Sequence, residues 1–109
     1  MAFTEGGNDG TLNGVNEVTI VVAPAAATRR LVRSITISNV DTAAVVVEVR
    51  LKETANLRVI WEGTLAVGDT LAISDIIVLN TVNKSITALM AGAAATTDPD
   101  FTASWGDAT

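Results

Sequence analysis

Few side chains in this sequence are equipped for chemistry, and each group of them has a structural reading beside the chemical one. The run Gly6-Gly7-Asn8-Asp9-Gly10-Thr11-Leu12-Asn13-Gly14 has the glycine and aspartate content of one turn of a calcium-binding nonapeptide repeat. Such sites close their coordination sphere with stacked copies, and only one copy is present, so a glycine-rich arm is the expectation. Asp98-Pro99-Asp100 sets two carboxylates close together, as acid–base work or a divalent cation would require. With no histidine to assist, it reads as a turn whose shape Pro99 fixes. Asp75 interrupts one apolar run and Arg33 another, which suggests a structural ion pair or charges that guard strand edges. Arg29, Arg30 and Arg33 form the basic cluster, and guanidinium forks suit carboxylates and phosphates. No aromatic residues interleave with them, so a solvated strand start or a contact to an acidic partner is expected. Trp61 and Trp105 each share an apolar strand face and should pack in the core; Trp105 also keeps a sugar-stacking or interface alternative.

Composition narrows the chemistry further. The 109 residues contain no cysteine, histidine or tyrosine. That removes disulfides, thiolate nucleophiles, zinc fingers, triad bases and imidazole ligands. Lys and Arg number 7 against 12 Asp and Glu, giving a net charge of −5. An acidic balance argues against nucleic acid, whose phosphates need excess cations. No nucleophile–base pair, phosphate loop or metal cluster is evident, so the expectation is a non-enzyme without cofactors. The start of the chain lacks the basic and apolar segments of a secretory signal, and no apolar run approaches the ~18 residues of a membrane span. The expected setting is the cytosol, or a larger object assembled there, with no membrane partner.

The elements that must position these residues are β-strands. Valine, isoleucine and threonine are abundant, and β-branched residues suit a pleated surface. Residues 1–14 read as a flexible arm in which Phe3 and Leu12 are the anchors for a neighbour. From residue 15 to 109, turn signals recur about every ten residues, the spacing of a sandwich or small barrel. Val18 to Ala23 is the first run. Leu31, Ile35 and Ile37 then alternate with Val32, Ser34, Thr36 and Ser38, and Asn39-Val40-Asp41-Thr42 turns the chain. Val45, Val47, Val49 and Leu51 oppose Val46, Glu48, Arg50 and Lys52 with a period of two. Leu57, Val59, Trp61 and Leu65 alternate with Arg58, Ile60, Glu62 and Thr64, so a hairpin would bring opposite charges together on its outer face. Leu71 to Leu79 is a strand with a bulge expected near Ser74-Asp75, and Ser85 to Ala91 and Asp100 to Trp105 complete the set. The fold class is therefore all-β: a compact antiparallel β-sandwich of about seven short strands with an N-terminal arm.

Several stretches carry a resemblance. Ala23-Pro24-Ala25-Ala26-Ala27-Thr28-Arg29-Arg30-Leu31-Val32-Arg33 runs into a strand that ends at Asn39, and Asp41-Thr42-Ala43-Ala44 leads into a valine strand. Trp61-Glu62-Gly63-Thr64-Leu65-Ala66-Val67-Gly68-Asp69-Thr70-Leu71 follows, then Val78-Leu79 and Ile86-Thr87-Ala88. Over residues 23–105 the sequence resembles small β-sandwich virion proteins of tailed bacteriophages, including capsid decoration (cement) proteins. The resemblance implies a structural role: binding the outside of an expanded shell, commonly as a trimer, with the major capsid protein as partner. Phe3, Leu12, Arg29, Arg30, Arg33 and Trp105 are the residues expected to reach a partner. A head–tail adaptor, a tail or fibre-attachment module, and a free-standing carbohydrate- or protein-binding sandwich are the alternatives.

Overall fold

The computed structural model describes residues 3–109. Nine strands follow one another: β1 (Phe3–Thr11), β2 (Val18–Val21), β3 (Arg29–Ser38), β4 (Val45–Glu53), β5 (Asn56–Leu65), β6 (Thr70–Ile73), β7 (Ile77–Leu79), β8 (Lys84–Met90) and β9 (Asp100–Ala108). They form two antiparallel sheets. One has the order β1-β9-β3-β6, with β7 also paired to β3; the other has the order β2-β8-β4-β5. Apart from the β4–β5 hairpin and the β6–β7 break, every connection crosses from one sheet to the other. Counting β6 and β7 as one interrupted strand, this is the eight-strand, two-sheet jelly roll.

The expected sandwich is present, with two more strands than the sequence suggested. The run from Leu71 to Leu79 breaks at Ser74-Asp75-Ile76, where a bulge was expected, and both halves pair with β3. The other addition is the segment expected as an arm. Residues 3–11 pair with β9 from Phe3↔Ala108 to Thr11↔Asp100. Its glycines explain this placement. A Cβ at Gly6 would stand 2.5 Å from Nε1 of Trp105, and one at Gly10 would stand 3.1 Å from the Phe101 ring. Glycine weakens a strand by entropy, but here it lets two aromatic rings of β9 lie across β1.

Between the sheets lies one core. It contains Leu12, Ile20, Val32, Ile35, Ile37, Val47, Val49, Leu79, Ile86 and Phe101, all nearly inaccessible to water. β4 keeps the alternation expected of it, with Val45, Val47 and Val49 buried. Two strands do not. A register shift after Val32 leaves Arg33 as an extra residue in β3. Val32 consequently points inward and Leu31 outward, the reverse of the simple alternation. A second shift leaves Ile60 extra in β5, so Val59 and Leu57 pair with Arg50 and Lys52 on the outer face. Both are exposed, at 56% and 47%.

The bulge also changes the charge pairing expected of the hairpin. Glu48 lies opposite Glu62, a like-charge pair. The cations of β4 find partners elsewhere: Lys52 Nζ reaches Glu17 Oε1 at 2.8 Å, and Arg50 lies 3.5 Å from Glu17 and 3.6 Å from Glu48. The Lys52 hydrogen bond holds the Glu17 carboxyl below its ordinary range against the opposing effect of burial.

Candidate functional site

The sequence candidates divide into those that the fold uses internally and those that it leaves at the surface. Leu12 is 1% exposed and fills the core where β1 turns toward β2. Its N–H donates to the Pro99 carbonyl at 2.9 Å. Arg30 points inward at the end of its sheet. Its Nε and Nη2 form a fork on the Asp107 carboxylate at 2.8 and 3.0 Å, and Nη1 donates to the Val22 carbonyl at 2.6 Å. Its guanidinium also sits 4.7 Å from the centre of the Trp105 ring. The indole is thus stacked under an arginine on one side and met by Gly6 on another. Arg30 lowers the Asp107 pKa through its hydrogen bonds, against the effect of burial.

Phe3, Arg29 and Arg33 come together on the outer face of the five-stranded sheet. Paired residues of antiparallel strands share a face, so the registers place Phe3, Ala108 and Arg29 in one row and Glu5, Gly106, Leu31 and Val78 in the next. Gly106 is the floor of the cluster, and a side chain there would run into the Phe3 ring and stand 3.0 Å from Arg33 Nη2. The Arg33 guanidinium lies 5.0 Å from the centre of that ring and 3.1 Å from Glu5 Oε1. Phe3 is half exposed, and Val78 is 37% exposed. A shallow hollow of about 300 Å³, lined by Ala27, Arg29, Leu31, Ala108 and Thr109, continues the patch. Apolar side chains framed by two arginines make a surface suited to a partner that is acidic at its rim. Simple alternation would have placed Leu31 in the core with Ile35 and Ile37, and the extra residue at Arg33 turns Arg29 and Leu31 to this outer face.

The remaining candidates take structural or solvent-exposed positions. Arg33 pairs with Glu5 rather than with Asp75, which is exposed at the β6–β7 break. Asp98 Oδ1 accepts from the Gly14 N–H at 3.2 Å, and Pro99 is buried. Asp9 lies on β1 opposite Thr102, in a strand rather than a calcium loop. Trp61 is half-buried against the core. Asp41, read from the sequence as part of a simple turn, is 4% exposed and organises the β8–β9 connection. Its carboxylate accepts from Ala95 N, Thr96 N, Thr96 Oγ1, Thr97 N and Thr42 N, at 2.8 to 3.2 Å. The Thr96 hydroxyl and these backbone donors hold its carboxyl far below the usual range, overriding desolvation. Asn39 beside it donates to the carbonyls of Ala43 and Leu65, each at 3.0 Å. The signal for Asp41 was non-local, because Ala95, Thr96 and Thr97, which supply all its donors but the Thr42 N–H, lie more than fifty residues downstream.

Comparison with known proteins places the fold. No protein-family model and no curated protein matches the chain. Among solved structures, a chain of the Bacillus endospore appendages, described as a family of disulfide-linked pili, superposes with a TM-score of 0.57 at 13% identity, over 99% of this chain and 87% of that one. A chain of infectious bursal disease virus, strain Gx, gives a TM-score of 0.57 at 11% identity, over 97% of this chain and 32% of that one. A chain of the cyanophage Pam1 capsid asymmetric unit gives 0.48 at 14% identity, over 97% and 82%. The chain is similar in fold to subunits of a pilus and of a virus.

Proposed function

We propose that this protein is a structural, non-enzymatic component of a virion that binds the outside of a phage capsid and bridges neighbouring shell subunits. The observation that carries this reading is the outer-face patch of Phe3, Leu31, Val78 and Ala108 framed by Arg29 and Arg33. On a chain with a net charge of −5 it concentrates exposed cations and apolar groups in one place. The other arginine and tryptophan of the sequence candidates, Arg30 and Trp105, are occupied with each other and with Asp107. The jelly-roll topology supports the reading, since it recurs in viral shells, and so does the likeness to a virus chain. The same topology recurs in lectins, so the fold alone does not choose between them. A second reading, a tail or fibre-attachment module, is favoured by the likeness to an endospore-appendage chain.

The test is the number of copies in purified particles of the source, measured by quantitative mass spectrometry against the main shell protein. About one copy per shell subunit is expected. A handful would move the protein to the neck, tail or fibre, and absence would overturn the virion reading. Arg33→Glu should then weaken rebinding of added protein to stripped particles while leaving the circular dichroism unchanged. Undiminished rebinding would remove this face from the contact.

A further inference from the structure

Both sheets end on the same side of the sandwich. β5 is the last strand of the four-stranded sheet. β6 and β7 end the other sheet, and among the described residues they pair with β3 alone. The outward edges of these strands carry backbone N–H and C=O groups that no neighbouring strand satisfies. Between the edges lies an open cleft of about 320 Å³. Trp61, Leu71 and Ile73 line it and pair with the buried Val49, Ile37 and Ile35, so the cleft opens into the core itself. Sandwiches commonly guard such edges with lysine, proline or a bulge. Of these β5 has the bulge at Ile60; it lacks lysine and proline, and the charges of Arg58 and Glu62 cancel.

The strand is also matched to itself. It has 10 residues, and the bulge lies at its middle. Pairing with β4 puts Arg58, Trp61 and Gly63 on the inner face. It puts Leu57, Val59, Glu62 and Thr64 on the outer face. A second β5, antiparallel and related by a two-fold axis at the bulge, brings Leu57 opposite Thr64, Val59 opposite Glu62 and Arg58 opposite Gly63. Outer residues meet outer ones and inner residues meet inner ones, and the match runs from Asn56 to Leu65. Ile60 and Trp61, which both line the cleft, meet their own counterparts at the axis. Arg58 makes no ion pair among the described residues. A Cβ at Gly63 would stand 3.0 Å from Trp61 Cζ2, so an arginine opposite Gly63 lies beside an indole ring that can hold its charge.

We infer that two copies of this chain join edge to edge through β5, antiparallel about a two-fold axis at the Ile60 bulge. The partner is a second copy because both sheets end on this side. A lone peptide strand added to β5 would extend one sheet and leave the edge of β6 and β7 bare. A second sandwich continues the four-stranded sheet through its own β5, sets its β6 and β7 against the other open edge, and joins the two clefts into one covered space. The contact is isologous, so it closes at the dimer and does not grow further. It rests on backbone hydrogen bonds and apolar burial rather than on charge. The outer-face patch around Phe3 and Arg29 takes no part in it, so the inference stands independently of the virion reading.

The test uses purified protein alone. Sedimentation velocity of the wild type at about 0.5 mM protein should show twice the monomer mass and nothing larger. The dimer should persist at about 0.5 M salt, because its contacts are not screened charges. Cross-linking then reads the register, on a chain that has no cysteine of its own. Leu57→Cys and Thr64→Cys alter exposed side chains, and circular dichroism checks that each variant folds. In the dimer these two positions face each other across the axis with Cβ atoms about 5 Å apart. Each is about 20 Å from its own counterpart. Mixed under mild oxidation, the two variants should give a disulfide-linked one-to-one dimer, and either variant alone should link far more slowly. A wild type that stays monomeric would overturn the inference. So would a mixture of folded variants that does not cross-link, or a single variant that links as fast as the mixture.

Discussion

On the side where β1 lies over β2, the gap between the sheets is filled and bonded. Leu12 closes the core, Asn8 Nδ2 donates to the Ile20 carbonyl at 3.0 Å, and the Met90 N–H donates to the Gly14 carbonyl at 2.9 Å. On the opposite side, β5 faces β6 and β7 across an open cleft of about 320 Å³, lined among others by Ile60, Trp61, Leu71, Ile73 and Ile77. Beside it, Leu57, Val59 and Ile76 stand in water. The closed side is made from residues with little intrinsic preference for strands: glycine, asparagine and aspartate. The open side is made from valine, isoleucine and leucine. Strand propensity describes how well a side chain fits a pleated, half-buried surface. It does not decide which edge of a sandwich is sealed; the cross-strand partners do, here Trp105 and Phe101 against Gly6 and Gly10.

The largest effect that can break this comparison is a matched pair of truncations. Leu12→Ala should cost about 3 kcal/mol in urea unfolding, because a fully buried leucine leaves a cavity. Leu57→Ala on the other side should cost less than about 1 kcal/mol, as expected for a half-exposed side chain away from the core. Equal costs would mean that Leu12 belongs to a loosely held arm and that the closed side is not closed.

An intermediate effect comes from giving β1 a better strand former. Gly6→Val raises local β propensity, yet its Cβ must displace the Trp105 indole, which is already fixed by Arg30. Overpacking of this kind costs about 2 kcal/mol, and the change should appear as a lower urea midpoint with an altered tryptophan emission. A stabilised variant would show that β1 does not use its glycines to seat the ring.

Much of this architecture was legible in the sequence because it is local. The strict alternation of β4, the polar turns and the break at Ser74-Asp75 all follow from neighbours a few residues apart. What was not legible depends on partners far along the chain. β1 is a strand because of aromatic residues about a hundred positions downstream, and Asp41 orders a connection whose donors are Ala95 to Thr97. The bulges at Arg33 and Ile60 belong to the same class. Each inserts one residue without leaving a sequence signal, and each reverses every side chain beyond it. The outer-face patch of Phe3, Arg29 and Leu31 owes its form to the first of them, since Leu31 would otherwise be in the core.

The smallest expected effect tests the second bulge. If β5 alternated without interruption, Val59 and Leu57 would point inward with Trp61, and lysine at either position would have to leave an ammonium group in the core. A buried, unpaired charge costs several kcal/mol or prevents folding. With Ile60 as the extra residue, both positions lie on the outer face beside Arg50 and Lys52. Val59→Lys and Leu57→Lys should therefore each change the free energy of unfolding by no more than about 0.5 kcal/mol, the range of ordinary surface substitutions. Some of that change will be repulsion from the neighbouring cations, and added salt should reduce it. Failure of either variant to fold would place the register shift elsewhere in β5 and return the open side to the core.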